Sequence, residues 1–188
     1  MASHDADQHR QAGADGRFRR QNAQFRFEIS KDGSFPPEKG RYILYCSLIC
    51  PWACRTLIVR SLKGLEAVIG IHRSGPSLMG AEVAITGYRL GQNGWDFTPD
   101  EEGCTVDPVN YSPNTKTIYL SVDPSYSLRY TVPILYDKIT KKIVNNESSE
   151  IIRFFNSEFD EFVEEKYKGI HFYPKNLRAE IDALNEWV

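Results

Sequence analysis

The sequence predicts an α/β domain, and three features carry that prediction. They are an aromatic and β-branched segment running straight into a helical pattern over 41–63, a second apolar segment at 67–72, and a hairpin-then-helix pattern over 131–155. The chain has 188 residues, 41% of them hydrophobic, enough for one full core or one core with a small appendage. Twenty-three lysines and arginines nearly balance 25 aspartates and glutamates, and a net charge of −2 draws the chain neither to nucleic acid nor to an anionic membrane. The expected partner is therefore a small molecule or another protein. No apolar run approaches the roughly 20 residues that cross a bilayer. The start, MASHDADQHR, lacks the apolar stretch of a signal peptide, and Asp5 and Asp7 argue against a transit peptide. The expected compartment is the cytoplasm, where thiols stay mostly reduced. Four cysteines are too few for a disulfide scaffold, so chemistry or packing must account for them.

Taken in order, residues 1–24 are polar, show neither apolar period, and read as a mobile tail, with order expected from Phe25. Arg41–Cys46, RYILYC, follows the turn-forming DGSFPPEKG and reads as a buried strand. Pro51 suits a first helical position, and Ala53, Leu57, Ile58 and Leu62 give a stripe that ends at Lys63-Gly64. Ala67–His72, AVIGIH, reads as a second strand parallel to the first. The span 73–128 is rich in glycine and proline and predicts a long irregular insertion, with a short helix or strand near Lys116–Val122. Thr131–Tyr136 and Lys141–Val144, joined by DKIT, predict an antiparallel hairpin. Glu150–Phe155 has a helical apolar face through Ile151, Ile152, Phe154 and Phe155, with Ser148 or Asn146 as its cap. After Pro174 an amphipathic pattern through Leu177, Ile181 and Leu184 starts another helix. The domain is thus expected over 25–172, with 173–188 beginning a further helical part.

This order places Cys50 at the first strand-to-helix junction and a proline at the start of the third strand, which is the arrangement of a thioredoxin-like domain. A helix N-terminus stabilises thiolate through the macrodipole and unpaired N–H groups, so Cys50 is either a reactive thiol or a packed structural one. Cys54 lies one turn on, unlike a C-x-x-C pair, and favours monothiol chemistry. Cys46, Cys50 and Cys54 form C-x3-C-x3-C, which matches neither zinc nor iron–sulfur spacings, and no metal is expected. Cys46 reads as strand core and Cys104 as an incidental loop thiol. Pro133 is a strand-entry proline or a cis proline that leaves the Val132 backbone free to pair with a peptide-like ligand. Glu147-Ser148 is a capping pair or a holder for the amino and carboxylate groups of a glutamyl ligand. Taken singly, Trp95 reads as a surface anchor and Arg129 as a solvated charge, and His72 and His171 have no acid/base partner in view.

The blocks GRFRRQNAQFRFEIS, GRYILYCSLICPWACRTLIVRSLKGLE, NGWDF and YTVPILYDKITKKIVNNESSEIIRFFN together resemble the glutathionyl-hydroquinone reductases, the xi class of glutathione transferases, from about Gly16 onward. The resemblance implies a thioredoxin-like N-terminal domain of a glutathione transferase, with only the start of the all-helical C-terminal domain. It implies removal of glutathione from glutathionylated quinones through a cysteinyl-glutathione mixed disulfide, with glutathione as substrate. Cys50 falls on the nucleophile, and Trp95, Arg129, Val132 beside Pro133, Glu147 and Ser148 fall on the glutathione contacts. The chain departs from the family pattern at Cys54, in about a dozen extra residues over 81–92, and in stopping at RAEIDALNEWV. A homodimer is the oligomer the resemblance allows, although the usual dimer surface and the quinone-side pocket fall beyond that point. The alternative to an enzyme is a non-catalytic short form that binds glutathione or a partner.

Overall fold

A computed structural model describes residues 22–69, 83–86, 90–91, 93–99 and 104–186. The larger sheet has four strands, β1 (Tyr42–Ser47), β2 (Val83–Thr86), β5 (Ile134–Asp137) and β6 (Lys142–Asn145), in the spatial order β2-β1-β5-β6. β2 runs parallel to β1, and β5 and β6 are antiparallel to their neighbours. Two short strands, β3 (Leu90–Gly91) and β4 (Gly94–Trp95), pair with each other. The α-helices are α1 (Pro51–Leu62), α2 (Thr115–Val122), α3 (Ser148–Ser157), α4 (Glu165–Lys168) and α5 (Arg178–Asn185).

Every residue of β1 is buried, because strand alternation feeds two cores at once. Tyr42, Leu44 and Cys46 meet Ala53 of α1 and Ile151 and Phe155 of α3 on one face. Ile43 and Tyr45 meet Ile118 and Tyr119 of α2 on the other. The result is a three-layer α/β/α sandwich with Cys50 at the end of its central strand. Beyond the sheet edge, Phe25–Phe27 lies along β6. Phe27 N donates to Val144 O at 3.0 Å, and Asn146 N to Phe25 O at 3.1 Å.

The hairpin, α1, α3 and α5 lie where the patterns predicted them. The expected strand at Ala67–His72 does not form over its described part. Leu65–Ala67 is a 3-10 turn, and Val68 and Ile69 are buried as a plug at the sheet end, where Val68 O accepts from Gly40 N at 2.8 Å. Residues 70–72, His72 among them, lie outside the described residues, as do 1–21 of the expected tail. The parallel partner of β1 comes instead from Val83–Thr86, inside the stretch read as extra loop. Within the long irregular span, α2 forms where a short helix or strand was expected near Lys116–Val122, capped by Asn114, whose side chain accepts from Thr117 N at 3.1 Å.

The apolar stripe expected on α1 coincides only in part with the face that packs, since Leu57 rests against the core beside Ala53. Ile58 and Leu62 are exposed, whereas Ala53, Thr56, Arg60 and Lys63 are buried. Two cations are tolerated there because backbone carbonyls outside the helix close over them. Arg60 donates to Ile69 O and Glu66 O. Lys63 reaches Ile170 O at 2.8 Å and Tyr167 O at 3.4 Å, and pairs with Asp160 at 2.9 Å. Gly64 then turns the chain with φ +63° against the Tyr167 ring. No helix among the described residues is long and apolar enough to cross a membrane.

Candidate active site

Cys50 is the N-cap residue of α1, with Pro51 at the first helical position. Its backbone is extended (φ −90°, ψ 113°) and its side chain makes no capping bond. The thiol turns instead toward the loop before β5, where Sγ lies 3.7 Å from Val132 O. Val132-Pro133 is a cis peptide, and among the described residues the Val132 N–H finds no backbone acceptor. Trp95 packs in the same cluster as Cys50 and Val132, each less than a tenth exposed. The N-terminus of α1 sets the positive end of the helix dipole beside the sulfur.

The other two thiols near this turn behave differently. Burial pushes the Cys46 thiol far up, and its sulfur rests 3.8 Å from Thr56 Oγ1. Burial and then the neighbouring Cys50 raise Cys54, whose Sγ donates to Leu48 O at 2.9 Å. Both are protonated at neutral pH. Cys104, read as an incidental loop thiol, is buried. Among the described residues no group of three or more histidines, cysteines or acids could hold a metal.

Across from Cys50, α3 begins at the second candidate pair. Its cap is Glu147, as the capping-pair reading allowed, and not Ser148 or Asn146, and the Glu147 carboxylate accepts from Ser149 N at 3.1 Å. Asn145 Oδ1 holds Glu147 N at 2.7 Å. Ser148 is fully buried, and its Oγ accepts from Arg55 Nε at 3.0 Å and Nη2 at 2.6 Å. With its lone pairs so engaged, the hydroxyl hydrogen is left to donate. Arg55 also lies 3.7 Å from Glu147. Sequence reading missed Arg55, although its place five residues after Cys50 on the helix facing α3 was the available signal.

Arg129 is half-buried on the loop leading to Val132, and burial lowers its pKa. Its carbonyl accepts from Tyr126 OH at 2.9 Å. His171 is exposed, with its Nδ1 3.5 Å from Asn156 Nδ2. A cleft of about 530 Å³ adjoins this region between α1, α3 and α5, lined by Trp52, Arg55, Glu147, Ile152, Tyr173 and Ile181. Cys50 and Trp95 do not line it. The geometry thus joins Cys50 to Val132 directly, places Trp95 in the same buried cluster, and ties Glu147 and Ser148 to α1 through Arg55.

A thiol at a helix N-cap facing a cis-proline loop, on this sheet order, defines a thioredoxin-like thiol site. Residues 49–158 match the family described as glutathione S-transferase, N-terminal domain, and the chain belongs to that family. It is 47% identical over 175 residues to glutathione S-transferase omega-like 2 of Schizosaccharomyces pombe, covering 92% of this chain and 52% of that protein. It is 41% identical over 181 residues to the glutathionyl-hydroquinone reductase YqjG of Escherichia coli, covering 92% and 51%. The glutathione-bound structure of YqjG superposes with a TM-score of 0.75 at 40% identity, covering 87% and 51%. The glutathione-S-transferase Xi from Phanerochaete chrysosporium superposes with a TM-score of 0.82 at 48% identity, covering 91% and 54%. The chain spans about half the length of the relatives it matches.

Proposed function

We propose that this chain forms the glutathione half of a glutathionyl-hydroquinone reductase, with Cys50 as nucleophile. The Cys50 thiolate attacks the glutathione sulfur of a glutathionyl-hydroquinone, and a Cys50–glutathione disulfide forms as the carbon–sulfur bond breaks. The bonding pair goes to the ring carbon, which takes up a proton and leaves as hydroquinone. A second glutathione thiolate attacks the mixed disulfide, releasing glutathione disulfide and restoring Cys50. In this reading the Val132 main chain pairs with the peptide-like middle of glutathione, and Trp95 walls the sulfur. Glu147 takes the glutamyl amine, the Ser148 hydroxyl donates to its carboxylate, and Arg129 supplies a cation.

The observation that carries the reading is the Cys50 thiol at the start of α1, 3.7 Å from the Val132 carbonyl. The glutathione-bound relative YqjG and the reductase name it bears support the choice of ligand and reaction. Incubation with glutathione disulfide followed by intact-mass and peptide analysis is expected to add one glutathionyl group to Cys50, and none to the Cys50→Ser variant. Label on Cys104, or none, would end this reading. Turnover of a glutathionylated hydroquinone by the same chain separates an enzyme from a module that only binds glutathione.

A further inference from the structure

Helix α2 contributes none of the residues assigned above, yet two of its side chains grip the main chain on which three of those residue groups stand. Thr115 is fully buried, and its Oγ1 accepts from Trp95 N at 3.0 Å while donating to Tyr130 O at 2.9 Å. Tyr119, one turn on and on the same helical face, donates to Thr131 O at 3.0 Å and accepts from Asn146 Nδ2 at 3.0 Å. Burial pushes the Tyr119 phenol up to about 12, with the Thr131 and Asn146 hydrogen bonds acting the other way, so it stays protonated and able to donate. The two hydroxyls thus span Trp95, the 130–131 run into Val132, and the residue before Glu147. The approach is close: a Cβ on Gly94 would lie 2.2 Å from Thr115 Oγ1 and 2.8 Å from Tyr130 O.

We propose that Thr115 and Tyr119 are positioning residues that set the spacing between the Trp95, Val132 and Glu147-Ser148 contacts, and so fix the affinity of the site for glutathione. This rests on the reading of Cys50 as a glutathione-dependent thiol. Tyr119→Phe keeps the ring against Phe25, Tyr126 and Tyr130 while removing the bridge between Thr131 and Asn146. It leaves Cys50 and α1 untouched. The expected effect therefore falls on glutathione recognition and not on the sulfur itself.

The test measures the rate of Cys50 glutathionylation against glutathione disulfide concentration, beside the rate of Cys50 alkylation by iodoacetamide, which needs no glutathione contacts. Tyr119→Phe is expected to raise the half-saturating concentration about five-fold, the factor of one lost hydrogen bond, with the saturating rate and the alkylation rate within about two-fold of wild type. Thr115→Val should behave alike, and Thr115→Ser should restore the wild-type value. The Thr115 pair decides the matter if Tyr119→Phe does not fold. Unchanged half-saturation in the folded variants overturns the proposal, as does an equal fall in alkylation and glutathionylation, which marks a general loosening. A wild-type chain that takes no glutathione on Cys50 overturns the underlying reading and this proposal together. Labelled wild type with unchanged variants overturns the proposal alone.

Discussion

Arg55 donates from two guanidinium nitrogens, Nε and Nη2, to the Ser148 oxygen, and that one contact sets the polarity of the start of α3. It leaves the Ser148 hydroxyl hydrogen to donate and places a cation beside Glu147. Arg55→Leu is expected to raise the half-saturating glutathione concentration about ten-fold, in keeping with loss of a charge-assisted hydrogen bond. The cost in stability should stay below about 1 kcal/mol, because the side chain is roughly a third exposed. Calorimetric titration with glutathione and thermal unfolding of the same variant check both. Single residues were partly legible in the sequence. Cys50 was, because strand, proline and helical pattern converge on it. Arg55 was not, because its partner is 93 positions away. The Glu147 cap was half legible: Glu147-Ser148 read as a capping pair, while the helical pattern named Ser148 or Asn146 because serine and asparagine are the commoner N-cap residues.

Among the elements, α1 joins two different jobs. Its N-terminus presents the thiol, and its C-terminus is pinned through Lys63 and Gly64 to the segment after α3. An added Cβ at Gly64 would meet the Tyr167 ring at 2.3 Å, and φ is +63°. Gly64→Ala should therefore cost about 2 kcal/mol or more, adding a steric clash to the left-handed penalty. Urea unfolding monitored by far-ultraviolet circular dichroism measures it. The same helix shows where pattern reading fails. Of the expected stripe Ala53 is buried and Leu57 packs on the core, yet Ile58 and Leu62 are exposed while Arg60 and Lys63 are buried, because backbone carbonyls outside the helix satisfy them. β1 and the β5–β6 hairpin were legible since alternation and turn chemistry are local. β2 was not, because four residues in a glycine-rich stretch carry too little signal.

For the molecule as a whole, the ion pair of Arg41 with Asp137 closes the start of β1 onto the end of β5 across 96 positions. Asp137 is fully buried and also accepts from Thr140 Oγ1 and Ile139 N. Burial alone would raise its pKa, but the hydrogen bonds from Arg41, Thr140 and Ile139 outweigh it and hold the carboxyl below its usual value. A depressed carboxylate stabilises the fold above the unfolded pKa of about 4, and that contribution fades as pH falls through the lower folded value. Asp137→Asn is expected to lose about 3 kcal/mol at pH 7, with the gap to wild type closing in strongly acidic solution. Chemical unfolding at both pH values tests this. The three-layer architecture was legible from the order of elements, whereas this long-range closure was not, because nothing near Arg41 or Asp137 in the sequence names the other.

The edge pairing of Phe25–Phe27 has a consequence for proteolytic trimming. Asn146 holds Phe25 N through its carbonyl oxygen and Tyr119 through its amide nitrogen, so one side chain links the edge segment to the helix behind the thiol loop. A protease that clipped away Phe25–Phe27 would release half of that link without touching any residue near the sulfur, so a nick at this edge would act on the distant pocket.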